Sequence, residues 1–204
     1  PIFLMPFTDT SARNRIRKNL RHWWNECTTQ ERAHGRTWYA EAQAYAQELA
    51  NEFGCTRARA AQVISAVSPN NVWERNKRDA HAVLRAVRDG VPASEVKCCT
   101  YDTNKLKAFA IAQGAREIEP KSRKTYSFAR NVDALDCEHV TVDKWHMRAC
   151  QTTSKQPKDV RTQVTVNQYD AVAEETRRVA QELGVHGHEL QAAVWVAIRE
   201  RWSR

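Results

Sequence analysis

The sequence predicts an all-α fold, and three observations predict it. Apolar residues recur at helical spacing along most of the chain, breakers fall between those stretches, and no convincing alternating strand is present. Only six glycines and six prolines occur in 204 residues, too few for a fold built on tight turns between strands. An apolar fraction of 42% beside 27% charged residues describes a globular chain rather than a disordered one. The length suits one domain or two small lobes.

Taken in order, the opening PIFLMPF is apolar but short and lacks a basic flank, so it is not read as a signal peptide. The first helix spans residues 11–27, with Ile16, Leu20, Trp23 and Cys27 forming an apolar stripe. Its other face carries Arg13, Arg17, Lys18 and Arg21. A second helix, residues 36–53, ends at Gly54, a good C-terminal cap. Thr56 can cap a third helix running to Ala66, with Ala60, Val63, Ile64 and Val67 turned inward, and Ser68-Pro69-Asn70-Asn71 breaks it. Further helices cover residues 72–88, 102–113, 122–132, 142–151, 169–183 and 188–202. Gln163–Asn167 (QVTVN) is a weak strand candidate at most. The polar stretch 151–167 reads as a linker to the two closing helices.

Thirty-two Lys and Arg against 24 Asp and Glu give a net charge of +8, which favours a polyanionic partner, nucleic acid being the commonest. No apolar run is long enough to cross a membrane, so no membrane partner is expected. The six cysteines form no CxxC pair and no Cys/His spacing of a zinc or iron–sulfur site. They read as reduced, mostly structural thiols of a cytoplasmic protein. His186 and His188 form an HxH with no evident third ligand, so no metal site is expected. The seven tryptophans read as core, with Trp73 and Trp145 the best candidates for another role.

The informative stretch is IEPKSRKTYSFARNVDALDCEHVTVDKWHMRA, residues 118–149. Lys121, Arg123, Lys124 and Arg130 lie close together, with no acid between Pro120 and Arg130. The first three, with Ser122, sit at a helix start, where the dipole favours anions and cations are out of place unless an anion comes. This turn is the candidate phosphate contact, together with the face carrying Arg13, Arg17 and Arg21; the latter can equally be an ordinary wet helix face. Asp143 follows Val-Thr-Val. It can cap the helix that begins there, or stand as a carboxylate facing Lys124, and a lysine in a partly dry site can act as a nucleophile.

This stretch resembles the helix-hairpin-helix (HhH-GPD) DNA glycosylase superfamily, the group of endonuclease III and oxoguanine glycosylase. In that family a hairpin L-P-G-V-G-x-K leads into a helix, and the Asp of a following V-D segment is the catalytic carboxylate. Arg123-Lys124-Thr125 and Val142-Asp143 stand in those positions, with Asp143 nineteen places after Lys124. Residues 63–76 (VISAVSPNNVWERN) look like the family's "LLSAQ…N" entry, where a polar residue of the turn fills the gap left by a flipped base; Asn70 or Asn71 is the candidate. Residues 101–109 resemble its "Y-x-x-K" helix, and residues 188–199 the closing helix of compact, phage-encoded relatives.

The resemblance implies a two-lobed HhH-GPD-like helical fold with a cleft between lobes. One lobe would comprise residues 1–55 and 168–204, and the other residues 56–150, carrying both the hairpin-like turn and Asp143. It implies a monomeric DNA glycosylase of base-excision repair, with Asp143 the carboxylate and Lys124 the Schiff-base nucleophile of a lyase step. Both hairpin glycines are missing here, and Glu119 is expected to repel a phosphate. Trp145 stands where a His often follows the Asp, and no cysteine lies beyond Cys150, so no iron–sulfur cluster and no other cofactor is expected. Two further readings stay open: a phage transferase placing an amino acid or amine on modified thymine, and a DNA-binding protein without chemistry.

Overall fold

A computed structural model describes residues 7–154 and 160–202. The apolar opening as far as Pro6 and part of the expected linker, residues 155–159, lie outside the described residues. Nine α-helices and one short 3-10 turn make up the described secondary structure, with no strand among the described residues. The all-α expectation is therefore met. QVTVN is not a strand: its last two residues open a helix.

The chain divides into two compact units. The first comprises residues 1–39 and 136–204, and the second Ala40–Leu135. This corrects the boundaries read from the sequence in two places. The second half of the second helix belongs with the middle of the chain, and the segment bearing Asp143 belongs with the two termini. The physical reason for the latter is burial: Val140, Val142, Met147, Ala149 and Cys150 are core residues of the terminal unit.

In that unit, α1 (Thr10–Glu26) packs against α7 (Lys144–Gln151), α8 (Val166–Leu183) and α9 (Gly187–Trp202). Asp9 caps α1, accepting the Ala12 N–H at 2.8 Å. Ile16, Leu20, Trp23 and Trp24 from α1 meet Val172, Val179, Leu190, Val194 and Ile198. Helix α2 (Thr29–Phe53) starts seven residues earlier than its apolar pattern suggests. The cause is a reciprocal cap: Glu31 N–H donates to Thr28 Oγ1 at 3.1 Å, and Thr28 N–H to the Glu31 carboxylate at 2.8 Å. Gly35 on α2 runs so close to α9 that a Cβ there would lie 2.6 Å from the Ala193 backbone. Helix α8 likewise begins three residues early, on a capping box between Thr165 and Gln168.

In the second unit, α3 (Arg57–Ala66) packs on α4 (Trp73–Asp89), α5 (Asp102–Ala112) and α6 (Arg123–Asp133). Ala60, Ala61, Ala66 and Ser65 are fully or nearly fully buried, which lets three helices approach it closely. Thr56 caps it as read, accepting the Arg59 N–H at 3.1 Å. Val63, Ile64, Val83, Phe109, Ile111 and Val132 fill the core.

The tryptophans follow expectation in part. Trp23 and Trp24 are buried, whereas Trp38, Trp73, Trp145 and Trp195 are half-buried; the Trp202 side chain lies outside the described residues. All six cysteines are free thiols, with Cys27 and Cys150 buried. Among the described residues no helix is long and apolar enough to cross a membrane.

Candidate functional site

Asp143 heads α7. Its carboxylate accepts the His146 N–H at 2.8 Å, so the capping role is realised. The preceding Val-Thr-Val is fixed by a residue that sequence reasoning missed. The Tyr169 hydroxyl donates to the Val140 carbonyl at 2.7 Å and accepts from the Val142 N–H at 2.9 Å. Both backbone groups are thereby satisfied in a dry setting, where an orphaned one would cost about 1–3 kcal/mol. Nothing local in the sequence announces this clamp, because Tyr169 lies 27 positions from Val142.

His146 sits under the same turn. It is buried, and its Nε2 lies 2.9 Å from Thr176 Oγ1. Thr176 Oγ1 itself donates to the Val172 carbonyl at 2.8 Å, so it accepts from the imidazole, which makes Nε2 the protonated nitrogen. His146 Nδ1 has no hydrogen-bond partner. Burial pushes the imidazole down to about 4, so it is neutral at pH 7. Asp143, itself partly exposed, thus stands on a packed and uncharged platform.

Lys124 lies on the other unit, in the first turn of α6, and its side chain is exposed. No ion pair engages it among the described residues. Ser122 is the N-cap residue just before that helix, but its side chain makes no capping bond. The turn before it and the first turn of α6 are both held from α3: the Ile118 N–H donates to Gln62 Oε1 at 2.7 Å, and Ser65 Oγ donates to the Thr125 carbonyl at 2.6 Å. The Ser122 N–H closes the turn on the Glu119 carbonyl at 3.0 Å. Lys121 pairs with Glu119 at 2.8 Å, and Arg123 donates to the Pro120 carbonyl at 2.7 Å. Glu119 is therefore neutralised locally, and its repulsion of a phosphate is weaker than its sequence position suggests. Both bonds are surface contacts, which an arriving anion can displace at little cost. From Asn104 to Asn131 the chain holds seven Lys or Arg against two acids, the densest positive stretch around the turn. Arg130, near the other end of α6, is exposed.

The arginines of α1 have another assignment. Arg13 pairs with Glu174 and Glu175, each at 2.9 Å, Arg17 pairs with Glu175, and Arg21 pairs with Glu182 at 2.8 Å. Glu175 is completely buried. Such a charge needs its partners, so Arg13 and Arg17 are structural here, and α1 does not present a bare cationic face. The acids lie some 160 positions away, which is why the helical pattern of α1 alone suggested phosphate contacts.

Asn70 and Asn71 belong to the turn after α3. Asn70 is exposed with φ of 55°, the one non-glycine residue with positive φ among the described residues. Asn71 faces inward: its Nδ2 donates to the Val67 carbonyl at 3.1 Å and to Asp79 at 2.8 Å. Of the two, Asn70 is the one directed to solvent. His186 and His188 stack at 5.3 Å rather than converge, and no three His, Cys, Asp or Glu side chains are placed to hold a metal among the described residues.

Fold and composition define a basic, all-helical protein of two compact units. The chain belongs to a family of unknown function, DUF7178, whose model matches residues 5–202. No curated protein and no solved structure matches it.

Proposed function

We propose that this protein is a DNA glycosylase, which flips a damaged or modified base out of DNA and releases it, with an accompanying strand-cleaving lyase step. The observation that carries the reading is the mounting of Asp143. A carboxylate with one oxygen on a helix-capping N–H, on a backbone clamped by Tyr169, has its orientation set before substrate arrives. The V-D resemblance and the basic turn ahead of α6 support the same reading.

The chemistry follows from the residue types. Extruding the base costs a few kcal/mol, repaid by binding. As the C1′–N bond breaks, positive charge develops on the sugar, and the Asp143 carboxylate stabilises it. Lys124 passes its ammonium proton to the departing base, and the amine so freed forms a bond to C1′ while the base leaves with the bonding electrons. The new ammonium nitrogen loses a proton to solvent, its lone pair then opens the sugar ring, the ring oxygen takes a proton, and a Schiff base results. Loss of a C2′ proton expels the 3′ phosphate and nicks the strand. Lys121, Ser122, Arg123 and Arg130 contact phosphates in this reading, and Asn70 occupies the gap left by the flipped base. The protein acts as a monomer in the cytoplasm, and side chains alone carry these steps.

Incubation with DNA bearing a panel of lesions and phage-type modified thymines, with sodium borohydride present, tests the proposal on a denaturing gel. The expected result is a covalent protein–DNA band that disappears in Lys124→Ala. Released base without a band restricts the reading to a glycosylase centred on Asp143. Neither band nor released base overturns it, in favour of group transfer on the same scaffold or of DNA binding alone.

A further inference from the structure

Asp79 is a buried acid on the inner side of α4. Its Oδ2 accepts from Asn71 Nδ2 and from the Cys99 N–H, each at 2.8 Å. Among the described residues no donor reaches Oδ1 and no cation pairs with the carboxylate. Lys105 of α5 is turned elsewhere, to the Val96 carbonyl at 3.0 Å and to Asp102 at 3.5 Å. A buried charge without a partner of opposite sign is costly.

Two amide oxygens beside it are unanswered as well. Asn71 Oδ1 and Asn76 Oδ1 are buried and accept no hydrogen bond. Neither amide can be reversed to cure this. Asn71 Nδ2 is held by the Val67 carbonyl at 3.1 Å as well as by Asp79, and Asn76 Nδ2 donates to the Ile64 carbonyl at 3.1 Å. Reversal would set oxygen against oxygen. Asn76 and Asp79 stand at i and i+3 on one face of α4, and Asn71 bonds Asp79 directly. The three side chains therefore meet at the C-terminal end of α3, the end of a helix that carries partial negative charge. In a protein of net charge +8, this one buried place has acceptors in excess and a negative charge unmatched.

We propose that Asp79, Asn71 and Asn76 form a binding site for a hard divalent cation, calcium or magnesium, which ties the turn after α3 to α4. Carboxylate and amide oxygens, completed by water, are the ligands such ions take. A water alone would answer the amides but leave the charge of Asp79 uncompensated, whereas a cation answers both. Two of the three ligands are amides, which is why no triad of His, Cys, Asp or Glu marks the site. Asn70 and Val72, on either side of Asn71, are exposed and give the ion a way in. The site is independent of the glycosylase reading, whose steps use none of these oxygens.

The test uses the full chain, stripped of metal on a chelating resin. Calcium chloride and magnesium chloride are titrated separately at constant ionic strength, with calorimetry and the thermal melt as readouts. One carboxylate supplies little charge, so binding of one equivalent with half-saturation at about 1 mM is expected for at least one of the ions. The melt should keep rising with the logarithm of its concentration above that value. Asp79→Asn removes the charge and should weaken binding by about tenfold or more. Asn71→Asp adds a second carboxylate beside the first. It should melt below wild type without the ion and bind the ion about tenfold tighter, which decides the matter even if Asp79→Asn fails to fold. Absence of saturable binding of either ion to wild type overturns the proposal and leaves the three oxygens to water. Unchanged binding in a folded Asp79→Asn, or no gain in Asn71→Asp, overturns it too.

Discussion

Helices α6 and α7 begin in opposite ways. At the head of α7, Asp143 satisfies an N–H with its own side chain, and the segment before it is clamped by the Tyr169 hydroxyl. At the head of α6 the Ser122 side chain makes no cap, no acid occupies the first turn, and Arg123 and Lys124 put positive charge there. A missing cap typically costs about 1 kcal/mol, and a cation at a helix N-terminus a few tenths more. One helix start is complete in itself, while the other carries a deficit that an anion would cancel. In the proposed function the difference separates binding from preorganised chemistry: phosphate on the basic turn, a fixed carboxylate on the closed one.

The arginines give the sharpest way to break this comparison, because they separate structural cations from binding ones. Replacing Arg13 and Arg17 together by Met leaves Glu175 buried with, among the described residues, only Arg178 to pair with it, at 3.6 Å. The expected loss of stability is about 3 kcal/mol or more, read by urea denaturation. A double variant that folds with wild-type stability and instead binds DNA more weakly would return α1 to the binding face.

A second, smaller effect tests the platform under Asp143. His146 has its folded value depressed to about 4, while the unfolded chain titrates near 6.5. The unfolded state therefore holds more protons between these values, and stability must fall as pH drops through that window. The loss attributable to this residue approaches about 3 kcal/mol at pH 4 and is absent above pH 7. His146→Gln should flatten the stability profile between pH 6.5 and pH 4.5, above the range in which most carboxylates titrate. A variant profile parallel to wild type would mean that His146 is not held neutral in the folded protein.

The smallest effects belong to the turn. Lys121→Ala and Arg130→Ala should each lower DNA affinity alike for all sequences and reduce the salt slope by about 1. Neither should change thermal stability by more than a few tenths of a kcal/mol, since both side chains are exposed. Loss of sequence preference in either variant would instead make it a base reader.

The helical class and most helix centres were legible because the apolar stripes repeat locally. Ile16, Leu20 and Trp23 all point into one core, as their spacing implies. Two helix starts were missed although their signals are present: Thr28 with Glu31, and Thr165 with Gln168, are capping pairs hidden in polar sequence. The unit boundary at Ala40 was illegible for another reason. It falls inside an unbroken helix, with no glycine, proline or polar run to mark it. At the candidate site, Lys124 and Asp143 could be singled out from local context. Tyr169, which fixes the backbone leading to Asp143, Thr176, which holds the His146 ring, and the acids that hold Arg13 and Arg17 lie far along the chain. Only the tertiary fold brings them in.

The central claim is that Asp143 acts by its charge and not merely as a helix cap. Asn is as good a cap as Asp, so Asp143→Asn keeps α7 while removing the carboxylate. The decisive measurement is single-turnover base release by this variant on the substrate that wild type accepts, with the thermal melt recorded alongside. An unchanged melt with release slowed at least tenfold is the result expected. Full activity in a normally folded Asp143→Asn would contradict the account.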